Sequence, residues 1–197
     1  MRREKESRIL QAATAVFLRY GYRRTTMGDI ATAAGVSRPA LYLIFCNKER
    51  VFEAALRKLG TGLLEEIRAA LAPPGTPMEQ LKLAFELWAV RPFSMLAESP
   101  DAQDLIHCSY EFAKETMAQS QAAFETQLVT VLATIPQPRG RTAPGPSLEQ
   151  IAHLLATAVH GFKSTAHSAS ELREMIAALL HLTVTSLAPE GRLEQIP

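Results

Sequence analysis

Apolar residues recur along this chain at the three- and four-residue spacing of helices, and no stretch keeps the strict alternation of a strand. Ile9, Ala13, Val16, Phe17 and Tyr20 share one face of a first helix, predicted over residues 4–20, while Arg8, Gln11 and Arg19 fall elsewhere. Gly21 stands just past its end, where a left-handed backbone is needed, and Tyr22 is expected to fold back onto the helix. A second helix starts near Thr26. Thr26 and Asp29 form a T-x-x-D variant of the capping box, and Asp29 suits the positive end of the helix dipole. Ile30, Ala31 and Ala34 face inward, and Ala31 is small enough for another helix to cross closely. Gly35 ends the helix without a Cβ clash, Val36 plugs the corner, and Ser37 caps a third helix. Pro39 lies in the first turn of that helix, where its missing N–H costs nothing. Leu41, Ile44 and Phe45 then point to the core, leaving Arg38, Ala40, Tyr42 and Leu43 outside.

Asn47 caps a fourth helix reaching residue 71, with Val51, Phe52, Ala55, Leu59 and Leu63 as its inner stripe. Pro73-Pro74-Gly75-Thr76-Pro77 breaks the chain. A fifth helix over 78–90 carries Leu81, Ala84, Phe85 and Trp88 on one side; Arg91-Pro92 is expected to end it, with residues 93–100 irregular. A short helix over 101–108 and a long one over 109–135 follow, the latter with Phe112, Met117, Phe124, Leu128, Val131 and Leu132 as apolar positions. Residues 136–146, rich in proline and glycine, read as a solvated linker. Ser147 opens an S-x-x-Q capping box and a helix to about residue 168. The last helix, 171–187, is apolar over much of its circumference (Leu172, Ile176, Leu179, Leu180, Leu182, Val184) and asks for cover on more than one side. A second copy of the chain is the natural cover. The expected fold is all-α: an N-terminal three-helix domain over 1–47 and a helical bundle over 48–197, about nine helices in total.

Composition adds exclusions. With 47% hydrophobic and 21% charged residues the chain is ordinary globular protein. No apolar run is long and clean enough to span a bilayer, and the charged start MRREKESR lacks a signal peptide's apolar core, so a cytoplasmic placement is expected. Cys46 and Cys108 sit in no C-x-x-C pair, which argues against a disulfide framework or a zinc site. His107, His153, His160, His167 and His181 form no H-x-x-x-H or H-E-x-x-H pair, and G-x-S-x-G, P-loop and G-x-G-x-x-G motifs are absent. Catalysis, a metal and a cofactor are therefore not expected. His153, His160 and His167 recur every seven residues along one stripe, too far apart for one metal ion, and read as a partly polar seam. The net charge of +1 hides an asymmetry. Residues 1–50 hold ten Lys or Arg against four acids, a net +6; the rest holds eleven bases against sixteen acids, a net −5. A basic head on an acidic body suits attraction of phosphates at one end.

Ile30, Ala31, Gly35, Val36, Leu41 and Ile44 occupy the apolar, small, glycine and apolar positions of helix-turn-helix DNA-binding proteins. With Tyr20-Gly21-Tyr22 before them and TTMGDIATAAGVSRPALY, Phe45, Asn47-Lys48-Glu49 and Val51-Phe52 around them, residues 9–52 closely resemble the TetR family of bacterial transcriptional regulators. The resemblance implies a homodimer, joined through the last two helices, that binds a palindromic operator in double-stranded DNA and usually represses. A small-molecule effector, apolar or amphipathic, would release it. Thr26 and Lys48 would hold phosphates, as would Tyr42 through its hydroxyl. Ser37, Arg38, Pro39 and Ala40 would face base edges: Arg38 can donate two hydrogen bonds to a guanine, while Pro39 and Ala40 make only apolar contacts, such as with thymine methyls. Leu43 lies on the same outer surface and, with Ile44, departs from the polar or aromatic pair usual in the family; Cys46 replaces a usual Pro or Gly. For the effector the resemblance points to Phe85, Trp88, Phe93, Met95, Tyr110, Met117, Phe124 and Phe162, whose aromatic rings and thioethers suit a bulky apolar ligand. The competing reading is a ligand-binding or interaction protein with a vestigial head, which the apolar Leu43-Ile44 pair would favour.

Overall fold

The computed structural model describes residues 2–97, 105, 110–136 and 145–187, and every regular element among them is helical. The expected short helix over 101–108 and most of the linker over 136–146 lie outside the described residues, as does Cys108. Among the described residues no helix is long and apolar enough to cross a membrane. The chain divides into two compact units, Met1–Leu63 with Phe93–Ser120, and Leu64–Pro92 with Gln121–Pro197.

The first unit begins with α1, Arg2–Arg24, whose helical geometry is broken at Gly21 (φ 75°, ψ 172°). That kink turns Tyr22 back onto Phe17, with ring centroids 6.0 Å apart. α2 (Met27–Ala33) and α3 (Arg38–Tyr42) follow, and α4 (Lys48–Leu71) starts in this unit. Ile9, Ala13 and Phe17 of α1, Ile30 and Ala31 of α2, Leu41 of α3 and Val51, Phe52 and Ala55 of α4 close one apolar core. An aromatic cluster sits at its edge. Phe52 meets Phe17 edge-on at 5.0 Å and Tyr22 at 4.9 Å, in the separation range where tilted rings attract. Tyr110 and Phe112, stacked on each other at 5.4 Å, both reach Tyr22 and Phe52. Residues about sixty positions downstream thus complete the core of the head, an arrangement that helical periodicity does not announce.

The second unit holds α5 (Pro77–Phe85), a π-helical turn (Glu86–Val90), most of α7 (Lys114–Leu132), α8 (Leu148–Thr165) and α9 (Ala169–Leu187). Thr76 and Ser147 cap α5 and α8 through complete capping boxes, with Glu79 and Gln150 as the reciprocal partners. α5 packs on α9, and α8 packs on α9 and on the π turn. The expected end at Arg91-Pro92 does not occur: the helix continues as α6, Arg91–Ala97, through what was expected to be irregular chain. Proline has no N–H to give the carbonyl four residues back, and its ring crowds that carbonyl. The turn before Pro92 widens instead, with the Arg91 N–H donating to the Glu86 carbonyl five residues back. Two two-pronged ion pairs brace this region, Arg91 on Glu66 at 2.6 and 2.7 Å and Arg173 on Glu86 at 2.9 and 2.8 Å.

Three expectations about buried stripes change: Tyr20, expected on the inner face of α1, is 40% exposed. Leu59 of α4 is 46% exposed, and burial passes to Leu64 and Ile67. On α9 Leu172, Ile176, Leu180 and Leu187 are buried, whereas Leu182 is 68% exposed.

Candidate nucleic-acid interface

The α2–α3 pair is fixed by its caps and its corner. The Thr26 hydroxyl accepts from the Asp29 N–H at 3.2 Å, and the Asp29 carboxylate takes the Thr26 N–H at 2.8 Å and the hydroxyl at 2.7 Å. These bonds, that from the Thr26 hydroxyl first, hold the Asp29 carboxyl below its ordinary range. Gly35 adopts φ +62°, the left-handed region a tight turn needs. Val36 then donates to the Ala31 carbonyl at 3.0 Å, closing the corner. Ser37 caps α3 by accepting from the Ala40 N–H at 3.3 Å. Leu41 and Phe45 anchor the inner side of α3. The outer side is left to Ser37, Arg38, Pro39, Tyr42 and Leu43, all exposed, and Ala40, half-buried. Tyr42 is 45% and Leu43 84% exposed. Among the described residues nothing holds the Arg38 guanidinium.

The basic charge of the head is partly spent inside it. Arg8 donates to the Ala34 carbonyl at 3.2 Å, tying α1 to the end of α2. Lys58 reaches the Ser7 carbonyl at 3.1 Å and its hydroxyl at 2.8 Å. Lys48, expected at a phosphate, has its ammonium on the carbonyls of Tyr22 at 2.8 Å, Thr25 at 2.9 Å and Arg23 at 3.5 Å, and 4.2 Å from the Tyr22 ring centre. No sequence signal separates a lysine bound to carbonyls from one that faces solvent.

Comparison with known proteins places this head. Residues 9–55 match the family model described as bacterial regulatory proteins, tetR family. The transcriptional activator FasR of Mycolicibacterium smegmatis is 29% identical over 133 residues, a stretch covering 68% of this chain and 57% of that protein, less than two thirds of its length. Residues 9–55 form a TetR-family head. Solved structures carry the same fold over nearly the whole chain. A transcriptional regulator from Rhodococcus sp. Rha1 is 22% identical, covers 92% of this chain and 96% of its own, and superposes with a TM-score of 0.67. The regulator FadR of Bacillus subtilis, solved in complex with stearoyl-CoA, is 20% identical, with 91% and 97% covered and a TM-score of 0.62.

Beyond this TetR-family head, the set expected around an effector falls into two groups. Phe85, Trp88 and Phe124 come together: Trp88 stacks on Phe124 at 4.5 Å and 8°, and Phe85 meets Phe124 edge-on at 5.3 Å. Phe162 of α8 is half-buried in the same unit. Tyr110 instead joins the aromatic cluster of the head. Phe93 is buried, while Met95 is 53% and Met117 37% exposed, all three in the first unit. In the histidine stripe, His153 Nδ1 lies 3.0 Å from Glu125 Oε1, and the His167 N–H donates to Glu171 at 2.7 Å. Among the described residues no group of three or more His, Cys, Asp or Glu gathers as for a metal ion. Cys46 presents an exposed thiol.

Proposed function

We propose that this chain is a ligand-responsive transcriptional regulator that binds a palindromic operator as a homodimer, usually to repress, and is released by a small apolar or amphipathic effector. The observation that carries the reading is the outer face of α3. Arg38, Pro39, Tyr42 and Leu43 are held outward by a capped, cornered helix pair whose inner side is buried, and Arg38 has no described partner. A protruding helix presenting a free guanidinium matches the depth of a major groove. Ser37, Arg38, Pro39, Ala40 and Leu43 would meet bases, and Thr26 and Tyr42 phosphates. In support of a dimer, α8 and α9 leave Leu154 61% and Leu182 68% exposed. Two heads related by a two-fold would reach major grooves about 34–36 Å apart, or a multiple-turn spacing. For the effector, Trp88, half-buried in the π turn and stacked on the buried Phe124, contributes an apolar ring, and FadR's stearoyl-CoA gives one example of an amphipathic ligand on this fold.

The reading is tested by selecting bound sequences from a random DNA pool. A palindrome with guanine and thymine at fixed places in each half-site is expected. Pro39, Ala40 and Leu43 are one turn apart on one face, the Leu43 N–H donating to the Pro39 carbonyl, so they form an apolar patch that only a C5-methyl complements in the groove. Replacing the contacted thymine by uracil removes that methyl alone and should weaken binding about fourfold per half-site, from ~0.8 kcal/mol per buried methyl. Absence of any enriched sequence would instead favour the vestigial head.

A further inference from the structure

Lys48 is the first residue of α4, yet its side chain acts at the far end of α1. An ammonium has three N–H donors. Here they face three carbonyls, those of Tyr22, Arg23 and Thr25, while the charge rests over the Tyr22 ring. These residues form the turn that carries the chain from α1 into α2. The same turn has a second pin: Thr25 is buried, 1% exposed, and its hydroxyl donates back to the Gly21 carbonyl at 2.6 Å. Gly21 is where the helical backbone breaks, so both bonds act on carbonyls that the kink and the end of α1 would leave unpaired. The next residue, Thr26, caps α2, and α2 fixes α3 through the Gly35 corner. The angle at which α3 leaves the head therefore depends on how this turn is held against the start of α4.

We propose that Lys48 is a positioning residue for DNA recognition: it pins the turn over residues 22–25 and so sets the placement of the α2–α3 pair, and it does not grip a phosphate. This rests on the DNA-binding reading above. A point charge can satisfy three converging carbonyls, whereas the planar fork of arginine cannot gather its donors on one spot. At a phosphate arginine would serve as well as lysine.

The two roles separate in salt. The full-length chain, wild type and Lys48→Arg, is titrated with its selected operator and with random duplex across a range of salt concentrations, below the melting temperature of each. For a positioning lysine, Lys48→Arg weakens operator binding tenfold or more, random DNA less than twofold, and leaves the slope of log affinity against log salt unchanged. Lys48→Met, checked for folding by circular dichroism, gives the same pattern. A phosphate contact would leave Lys48→Arg unimpaired, and Lys48→Met would lower both affinities and reduce the slope by about 0.9 per half-site; that result overturns the proposal. So does a Lys48→Met chain that binds both DNAs like wild type. Thr25→Val removes the second pin, and the Thr25→Val, Lys48→Arg double variant should lose less operator affinity than the two single losses combined, as coupled residues do. Full additivity would mean that the two do not share the turn. A wild-type chain with no salt-dependent DNA binding removes the underlying reading itself.

Discussion

Phe52→Ala should cost about 3–5 kcal/mol of stability, as large truncations of buried aromatics do. Phe52 is 3% exposed and touches four rings, Phe17, Tyr22, Tyr110 and Phe112. Alanine leaves a cavity bounded by rings of α1 on either side of its kink and of residues 110–112. They cannot collapse onto it together without moving the first turn of α4, the kink at Gly21 and the turn over 111–113. The loss is expected to lower the melting temperature by roughly 6–20 °C, at 2–4 °C per kcal/mol for a chain of this size. Phe52→Leu keeps most of the apolar volume and loses only the edge-on ring geometry, for which about 0.5–1.5 kcal/mol per pair is typical. It should sit between wild type and alanine. Urea titration of both variants checks this, and a change under 1 kcal/mol for Phe52→Ala would show that the cluster is not a supporting core.

The head was legible from sequence because its determinants are local. A threonine or serine followed three residues later by a side-chain acceptor, a glycine in a corner and a small residue at a crossing each act within one turn of chain, and the caps at Thr26, Ser37 and Ser147 form as read. What escaped reading depends on partners far away in the chain. Pro92 normally stops a helix, and nothing near it reveals that a π turn, braced by Arg173 on Glu86 and Glu66 on Arg91, carries the helix past it. Tyr110, which the family resemblance pointed toward an effector, packs half-buried against the core of the head through rings distant in the chain. Leu59 follows the apolar stripe of α4 by spacing, yet it is exposed. The basic head also reads differently in three dimensions: of its ten bases, Arg8 and Lys48 donate to the chain's own carbonyls, and Lys48 is half-buried.

Arg38→Ala should weaken binding to the selected operator by roughly ten- to a hundredfold, the range of 1–3 kcal/mol expected when a bidentate arginine–guanine contact is lost. On random DNA the loss should stay below about threefold, since one exposed cation contributes only its share of counterion release. The asymmetry follows from where Arg38 stands. It is the first residue of α3, exposed, and its backbone is fixed by the Ser37 cap and by Pro39 behind it. Its side chain therefore starts from a rigid base and has no described bond to give up before meeting a guanine. Tyr42, farther along the same helix and 45% exposed, has a hydroxyl suited to a phosphate, so Tyr42→Phe should lower both affinities alike. Comparing the two variants on operators with the guanine replaced by adenine completes the test. The replacement should cost the wild type and Tyr42→Phe the same factor and cost Arg38→Ala almost nothing. If Arg38→Ala still distinguishes guanine from adenine as the wild type does, the base is read by another residue and the outer face of α3 must be reassigned.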